Sequence, residues 1–82
     1  MDAYLTHLTV ERRLAANSVE GYTRDLVLLR DFAAGRGASV QALSRQQLEE
    51  LVRDLMSQGR SPRSVARAIA CYRGFYRFLA ID

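Results

Sequence analysis

Catalysis would need a nucleophile, an acid or base, or a metal-binding cluster, and few residues of this chain suit those roles. The only histidine, His7, and the only cysteine, Cys71, are far apart in the sequence. Zinc and related metals are held by several such ligands at close spacing. Glu49 and Glu50 are adjacent, so on a helix they point in different directions and cannot act as a pair. We therefore predict no catalytic centre, no metal site and no cofactor.

The basic residues form the second set that could do chemistry. All twelve are arginines, and the net charge is +3. Genome base composition is a sufficient explanation for the absence of lysine, so the position of the charge carries more weight. Residues 57–82 hold five arginines against Asp82 alone, and this segment accounts for the whole excess. The planar fork of arginine binds phosphates and guanine edges through two hydrogen bonds, which favours a polyanionic partner.

The arginines near the end of the chain fall on one side of a predicted helix. At about 100° per residue, four of them share an arc of about 120°: Arg63, Arg67, Arg73 and Arg77. Small residues lie between them on that arc: Ala66, Ala70 and Gly74. No acidic residue occurs between Arg63 and Leu79, whereas an ordinary solvated helix interleaves both signs. A DNA backbone could approach such a strip closely while the arginines reach phosphates and base edges.

The elements that position this strip are predicted to be helices. Apolar residues recur at helical spacing and no alternating strand pattern occurs, so we predict an all-α chain. The first helix should cover about residues 2–14. Asn17 should cap the second helix, with Glu20 completing a capping box. The second helix should end near Gly35 and Gly37.

A predicted loop over residues 36–43 separates the second helix from the third. Ser44 should cap the third helix, because Gln47 stands three residues later in the capping-box position. Gly59 should end that helix. The fourth helix has the clearest start, with Ser61 as the cap and Pro62 at the first helical position, and it should run to about Leu79.

The short links between these segments favour a compact bundle of four helices, since closely connected helices pack as neighbours. A length of 82 residues allows a single domain, 1–82, which we interpret as part of a longer protein. No apolar run approaches the roughly 18 residues of a membrane-spanning helix, and the N-terminus lacks a basic leader. We expect no membrane association and a reducing, cytoplasmic location.

Three stretches resemble a known family. The run from Asn17 to Leu26, NSVEGYTRDL, resembles the N-T-x-x-x-Y-x-x-D-L signature of the N-terminal core-binding, SAM-like domain of tyrosine recombinases, that is, phage integrases and Xer-type recombinases. Ser18 replaces the usual threonine. Residues 4–14 are similar to the first helix of that domain, and residues 64–79 are similar to its fourth. The three stretches follow in the right order and span nearly the whole chain.

The resemblance implies a SAM-like bundle that forms half of a C-shaped clamp on DNA, with its second and fourth helices facing the duplex. The positions carried over by the resemblance, with their flanks, are Asn17, Ser18, Tyr22, Arg24, Arg63, Arg67, Ala70, Arg73, Gly74 and Arg77. Arg67 and Arg73 would be the principal contacts. Ala70 and Gly74 stand where the family often has a serine and a basic residue, so a hydroxyl and a charge are missing. Asp25 is interpreted as structural, paired with an arginine or a helix terminus.

The resemblance also implies that catalysis belongs to another domain of the parent protein. In the family, the nucleophilic tyrosine and the arginine, lysine and histidine that assist it belong to a separate C-terminal domain, so this segment should catalyse nothing. The implied partners are double-stranded DNA, that catalytic domain and other recombinase protomers on DNA. On this interpretation, replacing Arg67 and Arg73 with alanine leaves the fold intact and abolishes most DNA binding.

Two other interpretations of the sequence stay open. In the first, the chain is a helical protein-interaction module, in which Tyr76, Phe78 and Val27 form an exposed apolar patch and the arginines bind an acidic partner. In the second, it is a stand-alone regulator of the helix-turn-helix type, for which the turn Gly59-Arg60-Ser61 before a basic helix is suitable. Salt-sensitive, arginine-dependent binding to duplex DNA would argue against the first interpretation.

Overall fold

The chain folds into four α-helices, as its periodicity predicts. The computed structural model describes the backbone of residues 2–81 and the side chains of residues 3–80. The helices are α1 (Asp2–Val10), α2 (Ala16–Gly35), α3 (Arg45–Ser57) and α4 (Pro62–Ile81), with a 3₁₀ turn at Val40–Ala42 between α2 and α3. No strand occurs within the described range. The architecture is the predicted compact all-α bundle.

The predicted starts of α3 and α4 are confirmed. The Ser44 hydroxyl accepts a hydrogen bond from the Gln47 backbone N–H at 3.1 Å, and the Gln47 side chain accepts one from the Ser44 backbone N–H at 2.9 Å. The Ser61 hydroxyl accepts from the Ser64 backbone N–H at 3.2 Å, and Pro62 is the first residue of α4. Both caps use donors that the helix itself leaves unpaired, so local sequence is enough to specify them.

Two glycines end helices in the left-handed conformation that their lack of a Cβ permits. Gly37 has φ +66° and Gly59 has φ +77°. After α2, the Ala38 N–H bonds back to the Ala33 carbonyl at 3.0 Å, which closes the last turn. The ends of α2 and α3 therefore lie within two residues of their predicted positions.

The first helix is shorter than predicted. It ends at Val10, not Leu14, because Arg13 adopts φ +52° and turns the chain. The Leu14 N–H then bonds to the Leu8 carbonyl at 3.2 Å, and Leu14 packs against the core from this turn. The apolar spacing of Leu14 reflects core contact and not helical continuation.

The predicted capping box at the start of α2 is wrong. The helix begins at Ala16, and its N-cap is Ala15, which has no side-chain capping bond. Asn17 and Glu20 therefore lie inside the first turns of α2, and both are exposed. The tight turn after α1 sets where α2 begins, and this tertiary constraint overrides the local capping signal.

All four helices contribute to one hydrophobic core, in which α2 and α4 make the most extensive contact. Its fully buried side chains include Leu8 from α1, Leu26 and Leu29 from α2, Leu55 from α3, and Phe75 from α4. The predicted loop between α2 and α3 is tied to this core by Leu43, which is buried. None of the helices within the described residues is both long and apolar enough to cross a membrane.

Ionisable hydroxyl and thiol groups lie within this core. Burial, with a smaller contribution from the nearby Asp25 carboxylate, raises the pKa of the Cys71 thiol to about 12. Burial likewise raises the pKa of Tyr4 to about 12 and raises that of Tyr72 strongly. Each of these groups is therefore held neutral in the folded chain well above its ordinary pKa.

The buried thiol and hydroxyls predict a loss of stability at alkaline pH. The chain has no lysine, so the thiol and the tyrosines are its only side chains that ordinarily titrate between about pH 8 and 11. The unfolded chain releases these protons first, because its pKa values are the lower ones. The free energy of unfolding should therefore be unaffected by these groups below about pH 8.5 and should fall as pH rises toward 12.

Urea unfolding measured at intervals from pH 7 to pH 11 tests this expectation. Cys71→Ala should delay the onset of the decline from about pH 8.5 to about pH 10, where the tyrosines of the unfolded chain begin to ionise. A free energy of unfolding that stays constant up to pH 11 would show that these groups are not held neutral by the fold.

Candidate nucleic-acid interface

The outer face of α4 carries a basic strip formed by three of the four arginines that the helical wheel groups together. Arg63, Arg73 and Arg77 are exposed, and none forms an ion pair with any described residue. Ala66 and Ala70 lie between them and are also exposed. No acidic residue from Pro62 to Leu79 balances this charge, so the strip presents free guanidinium groups over small side chains.

Arg67 differs from the other three arginines because it has a partner inside the protein. Its Nε donates to Asp25 Oδ2 at 2.9 Å and its Nη2 donates to Asp25 Oδ1 at 3.0 Å. Asp25 is only 2% exposed, whereas the Arg67 side chain is 32% exposed. The hydrogen bond to Asp25 raises the pKa of Arg67 further. The prediction that Asp25 is structural and paired with an arginine is confirmed.

The N-terminal half of α2 lies against the middle of α4 and supplies the remaining predicted site residues. Asn17, Ser18 and Arg24 are exposed on α2, while Tyr22 is half-buried behind them. The Tyr22 carbonyl accepts a weak hydrogen bond from the Cys71 thiol, with 3.7 Å between sulfur and oxygen. These contacts hold this half of α2 against α4.

Gly21 has a packing role that the sequence does not reveal. It lies in the interior of α2, where glycine is unfavourable relative to alanine. A Cβ at this position would lie 3.0 Å from Arg67 Nη1, tighter than ordinary van der Waals contact. Gly21 therefore gives the Arg67 guanidinium room to lie across α2 and reach Asp25. Only the three-dimensional structure shows this need, since Gly21 and Arg67 are 46 positions apart.

Gly74 also has a packing partner, which the sequence analysis does not anticipate. It is half-buried, and a Cβ placed on it would collide with the Tyr4 hydroxyl of α1. That hydroxyl donates to the Cys71 carbonyl at 3.4 Å. The absent side chain at Gly74 thus admits α1, in addition to leaving the edge of the basic strip smooth.

The apolar patch expected for a protein-interaction module does not form. The Tyr76 hydroxyl donates to the Val40 carbonyl at 2.6 Å, and the Phe78 ring packs against Tyr4 and His7 at centroid distances of 5.4 and 5.2 Å. Of the three predicted residues only Val27 is exposed.

An apolar groove lies elsewhere, between α3 and α4. It has a volume of about 580 Å³, and its apolar lining includes Val52, Met56 and Ile69. Arg53 and Arg73 are among the charged residues that line it. Sequence analysis does not identify this groove, because its two walls come from separate helices.

The side chains examined for catalysis are engaged in packing or in surface pairs. Cys71 is fully buried with a raised pKa, so it is a poor nucleophile near neutral pH. Glu49 pairs with Arg45 at 3.4 Å and Glu50 with Arg36 at 2.9 Å. Within the described part of the chain, no three His, Cys, Asp or Glu side chains converge into a metal-binding cluster.

Comparison with known proteins connects this geometry to a family. The model of the phage integrase N-terminal SAM-like domain matches residues 1–81. The chain belongs to this family. Among its relatives, tyrosine recombinase XerC of Pseudomonas putida is 41% identical over 80 residues, XerC of Pseudomonas aeruginosa is 40% identical and XerC of Azotobacter vinelandii is 39% identical. No solved structure matches the chain.

The chain covers only part of these relatives. Each alignment includes 96% of this chain but 27%, 26% and 27% of the three XerC proteins in turn. The SAM-like domain therefore spans roughly a quarter of the length of the recombinases it matches. The resemblance first noted in residues 17–26 is confirmed at the level of the family.

The integrase-like signature has a structural explanation in this fold. Within the signature, Asp25 receives the Arg67 guanidinium and Leu26 enters the core. Gly21, one helical turn before Asp25 and outside the fixed positions of the signature, leaves room for that guanidinium. Tyr72 donates to the Asp25 carbonyl at 2.8 Å. The signature thus specifies the crossing of α2 and α4, while Asn17, Ser18 and Arg24 remain exposed beside it.

The packing at Gly74 predicts the effect of adding one methyl group. Gly74→Ala should lower the free energy of unfolding by about 1–3 kcal/mol, because the new Cβ collides with the Tyr4 hydroxyl. This loss is expected even though alanine favours a helix interior by about 1 kcal/mol. Urea unfolding followed by circular dichroism measures it.

Two controls identify the cause. Gly35→Ala adds the same group where no atom lies within 4 Å, so stability should be unchanged or slightly higher. Removing the hydroxyl with Tyr4→Phe should recover much of the loss caused by Gly74→Ala. A Gly74→Ala chain as stable as the unaltered one would contradict the packing role.

Proposed function

We propose that this chain is a DNA-binding clamp domain of a site-specific tyrosine recombinase. It holds duplex DNA through the exposed face of α4 and the N-terminal half of α2. The observation that carries the proposal is the strip of Arg63, Arg73 and Arg77, whose charges no described residue neutralises. Arginines without acidic partners are suited to phosphate oxygens, which supply most of the affinity in protein–DNA complexes. Asn17, Ser18 and Arg24 would add contacts from α2.

Family membership supports the same function. The relatives are named tyrosine recombinases, and the chain corresponds to about a quarter of their length. We propose that a parent chain carries the catalytic domain that cleaves and rejoins DNA strands, and that this segment binds DNA without catalysing a reaction. Other protomers bound to the same DNA would be its further partners. The family supports a recombinase domain over a stand-alone helix-turn-helix regulator.

An NMR titration of the ¹⁵N-labelled chain with a short DNA duplex tests the proposal. Amide shifts should concentrate at residues 17–24 and 63–77 and should diminish as salt is raised, because phosphate binding releases counterions. With few phosphate contacts, the dissociation constant should lie in the non-specific range of about 10⁻⁴–10⁻⁶ M. Shifts that are absent at low salt, or spread evenly over the surface, would contradict the proposed interface.

A pair of matched double variants separates specific contacts from net charge. Arg73→Ala with Arg77→Ala removes two charges from the strip, whereas Arg45→Ala with Arg53→Ala removes two exposed charges from α3. The first variant should weaken binding at least tenfold and reduce the slope of log K against log salt by about 1.8, at about 0.9 per lost phosphate contact. The α3 variant should change both quantities far less. Equal losses would show that binding depends on overall charge alone.

The groove between α3 and α4 favours a second candidate function, the binding of a protein segment. Its apolar lining beside Arg53 and Arg73 is suited to an amphipathic helix with acidic flanks. The same titration distinguishes the two functions, because a protein-binding module would show no salt-dependent shifts with DNA at residues 17–24.

A further inference from the structure

The pair formed by Asp25 and Arg67 sits where α2 crosses α4. Asp25 is the only charged residue among the buried side chains that the structure describes. Both of its oxygens are occupied by one edge of the Arg67 guanidinium, at 2.9 and 3.0 Å. This is the two-pronged geometry in which arginine also binds phosphate and guanine. One of the edges through which this arginine could bind DNA is therefore already used inside the protein.

Releasing Arg67 to a phosphate would leave Asp25 buried without a partner. Leaving a buried carboxylate unpaired is strongly destabilising. The solvent-exposed ion pair that Arg67 would form with a phosphate contributes little free energy in return. The Nη1 side of the guanidinium lies over Gly21 on α2, which further fixes its orientation. As a bonded pair, Asp25 and Arg67 also carry no net charge for a phosphate to attract.

Two neighbouring contacts also hold α2 against α4 at this crossing. The Tyr72 hydroxyl donates to the Asp25 carbonyl at 2.8 Å, and the Cys71 thiol lies 3.7 Å from the Tyr22 carbonyl. Positions 67, 71 and 72 of α4 thus hold positions 21, 22 and 25 of α2. Arg24 lies on α2 next to Asp25, so its location relative to Arg63 and Arg73 depends on this crossing.

We propose that Arg67 is a positioning residue and not a DNA contact. Its pairing with Asp25 sets the crossing of α2 and α4, and that crossing aligns Arg24 with the exposed arginines of α4 along the duplex. The inference rests on the proposed function and refines it, because it assigns Arg67 to the crossing of α2 and α4 and not to the DNA-binding surface. It also revises the expectation that replacing Arg67 and Arg73 with alanine leaves the fold intact, since the loss of Arg67 leaves the Asp25 carboxylate buried without a partner.

Three variants at the crossing of α2 and α4 test the proposal in the whole chain. Arg73→Ala serves as the reference for a true phosphate contact. Asp25→Asn keeps the shape of the side chain but releases the positive charge of Arg67. Arg67→Met leaves Asp25 unpaired. The double variant, Asp25→Leu with Arg67→Met, replaces the pair with apolar side chains, a change that often preserves stability. Urea unfolding gives the folded fraction of each, and duplex affinity is measured over a range of salt and corrected for that fraction.

A positioning role predicts a distinctive pattern. Asp25→Asn should weaken DNA binding several-fold despite adding net positive charge, and Arg67→Met should weaken it more. The double variant should bind within about twofold of the unaltered chain with the same salt slope, while Arg73→Ala should lose about 0.9 from the slope. The effects of the two single changes on unfolding should be strongly non-additive, as expected for residues in one pair.

Two results would overturn the inference alone. One is tighter binding by Asp25→Asn, because a freed Arg67 would then be contacting DNA. The other is a double variant that folds but loses about 0.9 from the salt slope, as Arg73→Ala does. Failure of the unaltered chain to bind duplex DNA at any salt would instead overturn the proposed function, and the inference would fall with it.

Discussion

The ion pair between Asp25 and Arg67 constrains how the two longest helices fit together. A carboxylate that is 2% exposed must keep its partner, and α2 and α4 meet where the Arg67 guanidinium reaches across Gly21 to Asp25. The hydrogen bond from Tyr72 to the Asp25 carbonyl strengthens the same junction. The other helices pack around this crossing, with α1 inserting Tyr4 against Gly74 of α4. The fold thus keeps one charged pair at a crossing that is otherwise apolar, and the loss of only one partner would destabilise it.

The arginines of α4 are of two kinds, according to whether they have a partner inside the protein. Arg67 is bonded within the protein, while Arg63, Arg73 and Arg77 point to solvent without an acidic partner among the described residues. Placing like charges along one helix face is unfavourable to folding in itself, and the buried contacts on the opposite face offset that cost. The repulsion among these arginines is unfavourable in the free chain and is offset by attraction when phosphates approach the face. This difference supports the proposed interaction with DNA.

Local signals and long-range packing explain which features the sequence could predict. The caps at Ser44 and Ser61 involve residues three positions apart, so the sequence alone specifies them. The capping box proposed at Asn17 failed because the turn at Arg13 places the start of α2 earlier. The helical wheel identified the outward face of α4, but it carries no information on neighbouring helices. It therefore could not show that Arg67, at one edge of the arc, meets α2.

The small residues illustrate the same limit and define the proposed contact surface. The sequence groups Ala66, Ala70 and Gly74 as one smooth strip, yet Gly74 also accommodates Tyr4 of α1. Among these small residues, the exposed ones are therefore Ala66 and Ala70, whereas Gly74 is half-buried. From Arg63 to Arg77 the helix rises by about 21 Å, at about 1.5 Å per residue, which limits three arginines to a few phosphates. A contact of this size fits the proposed half of a clamp, in which the remainder of the proposed parent recombinase would supply further affinity and the chemistry.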